Sequence, residues 1–405
     1  MRNIFKLFGI IALAALIGFS FNACIEENDT VTHTNDEDSW TDDTPPPVPV
    51  IGINLDKNIL NLIKDETETL TATVKNTDNK AVTWNSANTA VATVNNNGVV
   101  IAVKSGTTVI TATMADGGKT AQCTIIVYPA DMVRINKGTF EMGQSFVATP
   151  KHLVTLTNNF YMGKYEVTQE QYQAVMGTNP SYFDGNSGKE PVYGEDQGKR
   201  PVENVSWYDA ILFCNKLSMM GGLSPAYSIS NSTDPAIWGT APRSPYDDEP
   251  EKITTWDAVE IVAGSTGYRL PTEAQWEYAC RAGTTTKYNT GDEEINDLGW
   301  YSRNSYNHEN DSWFGTRQVG LKPPNAWGLY DMHGNVWEWC WDWYHSYGYN
   351  AQTDPMRAEG GSPYDTPERV MRGGAFFNGA TESARRNYRK PWQKYEILGF
   401  RLVRP

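Results

Sequence analysis

The sequence has no run of Lys or Arg. Its 34 basic residues against 48 acidic ones give a formal charge of −14, so nothing in it could neutralise a phosphate backbone and nucleic acid is not expected as a partner. Long hydrophobic runs are missing too: the stretch from Leu7 to Phe21 is too short to span a bilayer comfortably. Histidine is scarce. His33, His152, His308, His333 and His345 are scattered, which disfavours a clustered triad for non-haem iron. Cysteine is equally scarce, at spacings that match no zinc motif, and the absence of a Gly-x-Ser-x-Gly elbow argues against serine hydrolysis. Aromatic residues are plentiful instead. The chain has 14 Trp and 21 Tyr, concentrated after residue 130, which implies a tightly packed core, aromatic-lined grooves, or both.

Arg2 and Lys6 precede the Leu7–Phe21 run, the arrangement of a signal peptide over residues 1–23. The run ends Phe21-Asn22-Ala23-Cys24, which resembles a relaxed lipobox and implies an acylated Cys24 as the mature N-terminus and the membrane as a partner through that lipid. An ordinary secretory signal cut nearby is the other reading. Residues 24–49 combine eight acids with Pro45-Pro46-Pro47 and Pro49, a composition that buries too little apolar surface to fold and therefore serves as a tether. An acidic patch soon after a lipidated cysteine resembles the tags that carry some lipoproteins across the outer membrane. A surface-exposed outer-membrane lipoprotein of the cell envelope is thus expected, with a plain solvated spacer as the alternative. Of the remaining cysteines (Cys123, Cys214, Cys280 and Cys340), export permits disulfides, yet Cys214 and Cys280 fall inside helical patterns where a buried thiol acts as a small hydrophobe.

The expected fold class is multidomain, an all-β sandwich followed by an α+β domain. Over residues 50–129 short alternating runs such as Thr69–Val74 and Thr108–Thr113 are separated by Asn, Asp and Gly turns. The segment Val82–Asn88, then Val91–Val94, Asn97–Val100 and Ala102–Gly106 resembles the bacterial Ig-like group 2 domain, whose implied role is a stalk.

Residues 130–405 read as α+β with long loops. Thr168-Gln169-Glu170-Gln171, Ser206-Trp207-Tyr208-Asp209 and Thr272-Glu273-Ala274-Gln275 each predict a helix start, the hydroxyl accepting a free backbone N–H while the residue three on reaches back. The first helix should stop at Gly177 and the third at Gly283. Gly138–Gly143, Tyr165–Thr168, Pro201–Trp207, Tyr268–Tyr278, Gly328–Trp339, Arg372-Gly373-Gly374 and Gly399-Phe400-Arg401 occur in an order that resembles the sulfatase-modifying-factor family, which contains the formylglycine-generating enzymes. That resemblance implies a C-type-lectin-related fold.

In the oxidase members, two cysteines five positions apart, just after the Arg-Gly-Gly block, hold Cu(I). The matching positions here are Asn378 and Ser383, and neither supplies a thiolate, so copper and a catalytic residue are not expected unless Cys280 or Cys340 is recruited. The iron-dependent sulfoxide synthases of the same fold need a histidine triad that is missing. The family's calcium-binding pattern corresponds to Asp331, the carbonyls of Gly334 and Val336, and Glu338, a hard-oxygen set suited to a structural Ca²⁺. The competing reading has both carboxylates on backbone N–H groups without metal.

The segment from Arg372 to Phe400 occupies the family's substrate groove and offers Phe376, Phe377, Asn378, Ser383, Arg385, Arg386, Tyr388 and Trp392, the aromatics and arginines that recognition surfaces favour. Its frame also resembles the variable lectin-like domains of retroelement systems. The expected role is a non-catalytic binding or assembly module for a protein, peptide or glycan; formylglycine generation on sulfatase cysteines and a retroelement-diversified receptor are the alternatives. Trp207, Trp276, Trp337, Trp339, Trp341 and Trp343 lie within or beside the family's shared blocks, which favours core packing over sugar stacking for most of them.

Overall fold

The computed structural model describes residues 50–104, 106–128, 131–186, 188–242, 254–292, 297–305, 315–356, 367–378 and 381–405. The signal segment, Cys24, the tether, His33 and His308 lie outside them.

The described residues from 52 to 128 form three sheets. One has the order Ile59–Ile63, Thr120–Tyr128, Gly106–Met114, Val82–Ser86, with the first pair parallel and the others antiparallel. The second is Thr67–Thr69, Val99–Ala102, Ala92–Val94, and the third pairs Gly52–Leu55 with Ala72–Lys75. Alternation sends Ile110, Ala112 and Met114 inward from Gly106–Met114, Ile110 to meet Leu60, Leu62, Leu70 and Cys123, and Ala112 and Met114 to meet Ile53 and Val74. The expected strand over Thr69–Val74 is corrected: it breaks into Thr67–Thr69 and Ala72–Lys75, which belong to different sheets. Leu70 is buried with its N–H on the Gly98 carbonyl, while Thr71 turns to the Asp56 loop. The chain crosses between layers there, as sandwich corners require.

Among its described residues the second domain carries three helices longer than one turn, Gln169–Met176, Trp207–Met220 and Glu273–Arg281, and each opens on the expected reciprocal cap. The first stops at Gly177. The third hands over to Ala282, in the left-handed region at φ 47°, one residue before Gly283. Asp209 completes its cap and also pairs with Lys394.

Between the helices runs the strand Trp337–Trp343, buried on both faces. Its sheet has the order Arg386–Arg389, Arg369–Arg372, Trp337–Trp343, Leu398–Phe400. Period-two alternation divides its side chains. Trp337, Trp339 and Trp341 pack with Trp207, Ile211 and Phe400, whereas Cys340 packs with Trp276, Ala279 and Cys280. All six expected core tryptophans are 5% exposed or less, so none is a platform for a sugar. Cys123, Cys214, Cys280 and Cys340 are free and buried.

Candidate functional site

The Arg-Gly-Gly turn is fixed from below by a buried ion-pair lattice. Arg372 donates to Glu273 at 2.9 Å and to Glu277 at 2.7 Å, Arg281 meets Glu277 at 2.8 Å, and Arg386 meets Glu273 at 2.7 Å. Two arginines bracket each glutamate, so burial is compensated rather than paired away singly. Gly374 then turns at φ 79°, where a Cβ would stand 2.5 Å from Thr381 Cγ2, so only glycine lets the segment fold back.

At the first of the two positions that match the family's copper cysteines, Asn378 Oδ1 accepts from Trp337 Nε1 at 2.8 Å and from the Ala375 N–H at 2.9 Å. The carboxamide closes the turn instead of facing a ligand. At the second, Ser383 is 0% exposed with its N–H on the Lys287 carbonyl. The donor set does not fit a soft ion at these positions. Cys280 lies close to Ser383 but is wholly buried, and burial pushes its thiol up to about 12. Cys340 is likewise buried, its thiol pushed up by burial.

The structure divides the expected ligand-contacting residues. Phe377 and Tyr388 are 45% and 37% exposed, and Arg385 is exposed. Phe376, Ser383 and Trp392 are buried, which corrects their expected place at the surface: Phe376 stacks edge-on against Phe183, and Trp392 belongs to the core that holds Trp207 and Trp339. Arg386 is committed to Glu273 and to the faces of Tyr344 and Tyr347. Sequence reasoning missed Tyr182 and Phe183, which continue Phe376 and Phe377 into one aromatic row with Tyr182 49% exposed. Glu203 anchors that row by accepting from the Tyr182 and Phe183 N–H groups, and burial pushes its carboxyl up to about 8. Its signal was in Pro201–Trp207, which served only for likeness.

A dimple among Phe183, Lys189, Arg200 and Arg317, lined by none of Phe376, Phe377, Asn378 or Ser383, holds about 20 Å³. A cavity of about 350 Å³ opens elsewhere, between the Gln169–Met176 and Trp207–Met220 helices, and no residue from 376 to 383 lines it.

Around the expected calcium residues, Gly334 turns at φ 111°, and a Cβ there would overlap the Trp300 carbonyl oxygen at 2.0 Å. Asp331 Oδ2 accepts from the Gly320 N–H at 2.7 Å, while the buried Oδ1 meets no donor. Glu166, unforeseen as a site residue, accepts from Asn335 Nδ2 and the Val336 N–H. Glu338 is bound on both oxygens, by Arg401 and by Trp276 Nε1 at 2.7 Å. Burial pushes Asp331 up to about 6. Burial, with the charges of Asp331 and Glu338, drives Glu166 well above the ordinary carboxylate range. Three carboxylates thus face one guanidinium. Among the described residues, no three His, Cys, Asp or Glu side chains converge as a metal-holding group, so an ion here would lean on main-chain oxygens.

Residues 124–405 match the sulfatase-modifying factor enzyme 1-like domain, and residues 49–125 match the bacterial Ig-like domain of group 2. The chain is 36% identical over 247 residues to "Chaperone protein LppX" of Paenibacillus barcinonensis, which spans 57% of this chain and 78% of that protein. It is 30% identical over 298 residues to the formylglycine-generating enzyme of Mus musculus, 67% of this chain and 74% of that one. Among solved structures, Treponema denticola variable protein 1 superposes with a TM-score of 0.57 at 36% identity, over 72% of this chain and 98% of the other.

Proposed function

The chain belongs to the sulfatase-modifying factor enzyme 1-like family, with a group 2 bacterial Ig-like domain before it, and from that premise we propose a cell-envelope lipoprotein whose family domain binds a protein or peptide and does not oxidise cysteine. One observation carries this reading: Asn378, at a family copper position, has its side-chain oxygen closed by Trp337 and Ala375. No thiolate faces the groove. The exposed aromatic and basic side chains of Tyr182, Phe377, Arg385 and Tyr388 suit a macromolecular ligand. The relatives' names divide between a chaperone, a variable protein and a formylglycine-generating enzyme, so the residues at the site decide.

The Ig-like domain acts as the spacer. Lys119 Nζ donates to the Ile51 carbonyl at 2.6 Å, which places the chain's entry at the Met114–Thr120 hairpin. The exit, beyond Val127, pairs with Gly106 at the opposite end. That strand is nine residues long, about 27 Å from its first residue to its last at ~3.4 Å per step. A lipid on Cys24 and the acidic tether would hold this stalk at the outer membrane, facing outward.

A structural Ca²⁺ fits the acidic cluster, because Asp331 Oδ1 is buried without a donor and three carboxylates share one arginine. Asp331 and the carbonyls of Gly334 and Val336 would hold the ion, with Glu338 shared with Arg401. It would supply charge compensation for the turn. The functional test incubates residues 25–405 with Cu(I) and a Cys-x-Pro-x-Arg peptide. The thiol mass should persist, and its loss with turnover would end the non-oxidising reading.

A further inference from the structure

The cavity of about 350 Å³ between the Gln169–Met176 and Trp207–Met220 helices lies within the ~300–1,000 Å³ of small-molecule sites. Both helices turn one face into it. On the shorter, Gln171, Ala174 and Val175 fall at i, i+3 and i+4, and on the longer, Phe213, Leu217 and Met220 fall at i, i+4 and i+7. Tyr172 stacks on Phe213 with ring centroids 5.4 Å apart, a contact that holds the two helices together. Met220 is 65% exposed, so the apolar wall continues out to solvent. Gly106 of the Ig-like domain also lines the cavity, which therefore sits where the two domains meet, a place small-molecule sites favour.

One charged side chain in this space has surface to offer. Asp131 is half-buried, and its Oδ2 accepts from Gln171 Nε2 at 3.2 Å. No Lys, Arg or His among the described residues forms an ion pair with it, and Lys164 acts on it only through space. Burial pushes its carboxyl up, the direction expected of a carboxylate that gives up water without gaining a cation. The other charged groups of the lining are committed or covered. Glu166 accepts from Asn335 and Val336, one on each oxygen. Arg404 is 0% exposed, its guanidinium over the Tyr268 ring at 5.0 Å. A molecule entering between the helices thus meets one available carboxylate among hydrocarbon walls.

We propose that this cavity binds a small organic amine, its ammonium group paired with Asp131 and its apolar body against Phe213, Leu217 and Met220. The ammonium supplies the counter-charge that Asp131 lacks, through a charge-assisted hydrogen bond. The unbranched Met220 side chain adapts to the shape of the body. A carboxylate of the same shape is repelled by Asp131, and a neutral molecule leaves it without a cation. The site is separate from Tyr182, Phe377, Arg385 and Tyr388, so it stands independently of the binding-module reading.

The test titrates residues 25–405 by calorimetry with phenethylamine, and with phenethyl alcohol and hydrocinnamate as neutral and anionic counterparts of similar shape. Saturable binding of the amine at one site per chain is expected, tighter than that of either counterpart. It should weaken about tenfold or more in Asp131→Asn, the loss of one charge-assisted hydrogen bond, and stay unchanged in Arg385→Ala. Ala174→Trp, a substitution at an exposed helix position, should fill the cavity and abolish binding. No saturable binding up to about 10 mM, the weakest affinity expected of a fragment this small, would overturn the site, as would tighter binding of hydrocinnamate or unchanged affinity in Asp131→Asn. If Asp131→Asn does not fold, amine binding that survives in Ala174→Trp overturns it equally. Thiol turnover in the Cu(I) peptide assay would end the non-oxidising role and leave the amine titration standing, whereas an empty cavity with intact peptide does the reverse.

Discussion

Asp331 holds a left-handed backbone, φ 57°, and turns one carboxylate oxygen onto the Gly320 N–H and the other into a buried space shared with Glu166 and Glu338. The sign of a substitution here reports whether an ion is present. With calcium bound, Asp331→Asn should lower the melting temperature of the calcium-saturated protein, and chelation should destabilise the unsubstituted protein by about 2.7 kcal/mol relative to a ~100-fold excess over the dissociation constant. Without calcium, the substitution removes one of three mutually repelling carboxylates and should raise the melting temperature. A rise in saturating calcium would remove the calcium assignment. At this scale the sequence disclosed the residue types but not their commitments. Glu338 is a carboxylate in any reading, yet only the parallel pairing of Trp337–Trp339 with Leu398–Phe400 brings Arg401 onto it.

The strand Arg386–Arg389 lies at the edge of its sheet, where unpaired main-chain groups invite another strand. Its own side chains block it. The Tyr388 N–H donates to Asn387 Oδ1 at 2.9 Å, and the Tyr388 carbonyl accepts from Arg389 at 2.9 Å. The double substitution Asn387→Ala and Arg389→Ala should increase concentration-dependent association, read by light scattering or sedimentation. An unchanged monomer would show that these caps do not guard the edge. The three helix starts were legible at this scale because a cap is local, two side chains reaching three residues. The break at Leu70 was not, because nothing in Thr69–Val74 marks a change of sheet, and only Gly98 and Asp56 decide it.

On Thr120–Tyr128, alternation points Cys123, Ile125 and Val127 into the sandwich and Ile126 out of it. Ile126 is nonetheless only 7% exposed, because it packs into the core of the second domain with Met132 and Tyr161. The junction is therefore a shared apolar contact as well as a covalent link. Ile126→Ala should cost about 2–5 kcal/mol, the range for truncating buried isoleucine, and separate one thermal transition into two in calorimetry. Two independent transitions in the unsubstituted protein would mean that the domains are uncoupled.

By itself the sequence determined the order of the domains, the alternating strands of the sandwich, the three capped helices and the absence of thiols at residues 378 and 383. All of these depend on composition or on residues within a few positions of one another. The tertiary structure alone decided that Phe376 and Trp392 face inward, that Tyr182 joins the exposed row, that Arg386 serves Glu273, and that Cys280 meets His333 across 53 residues. Burial and long-range pairing depend on which strands and helices come together, and period and spacing along the chain carry no record of that.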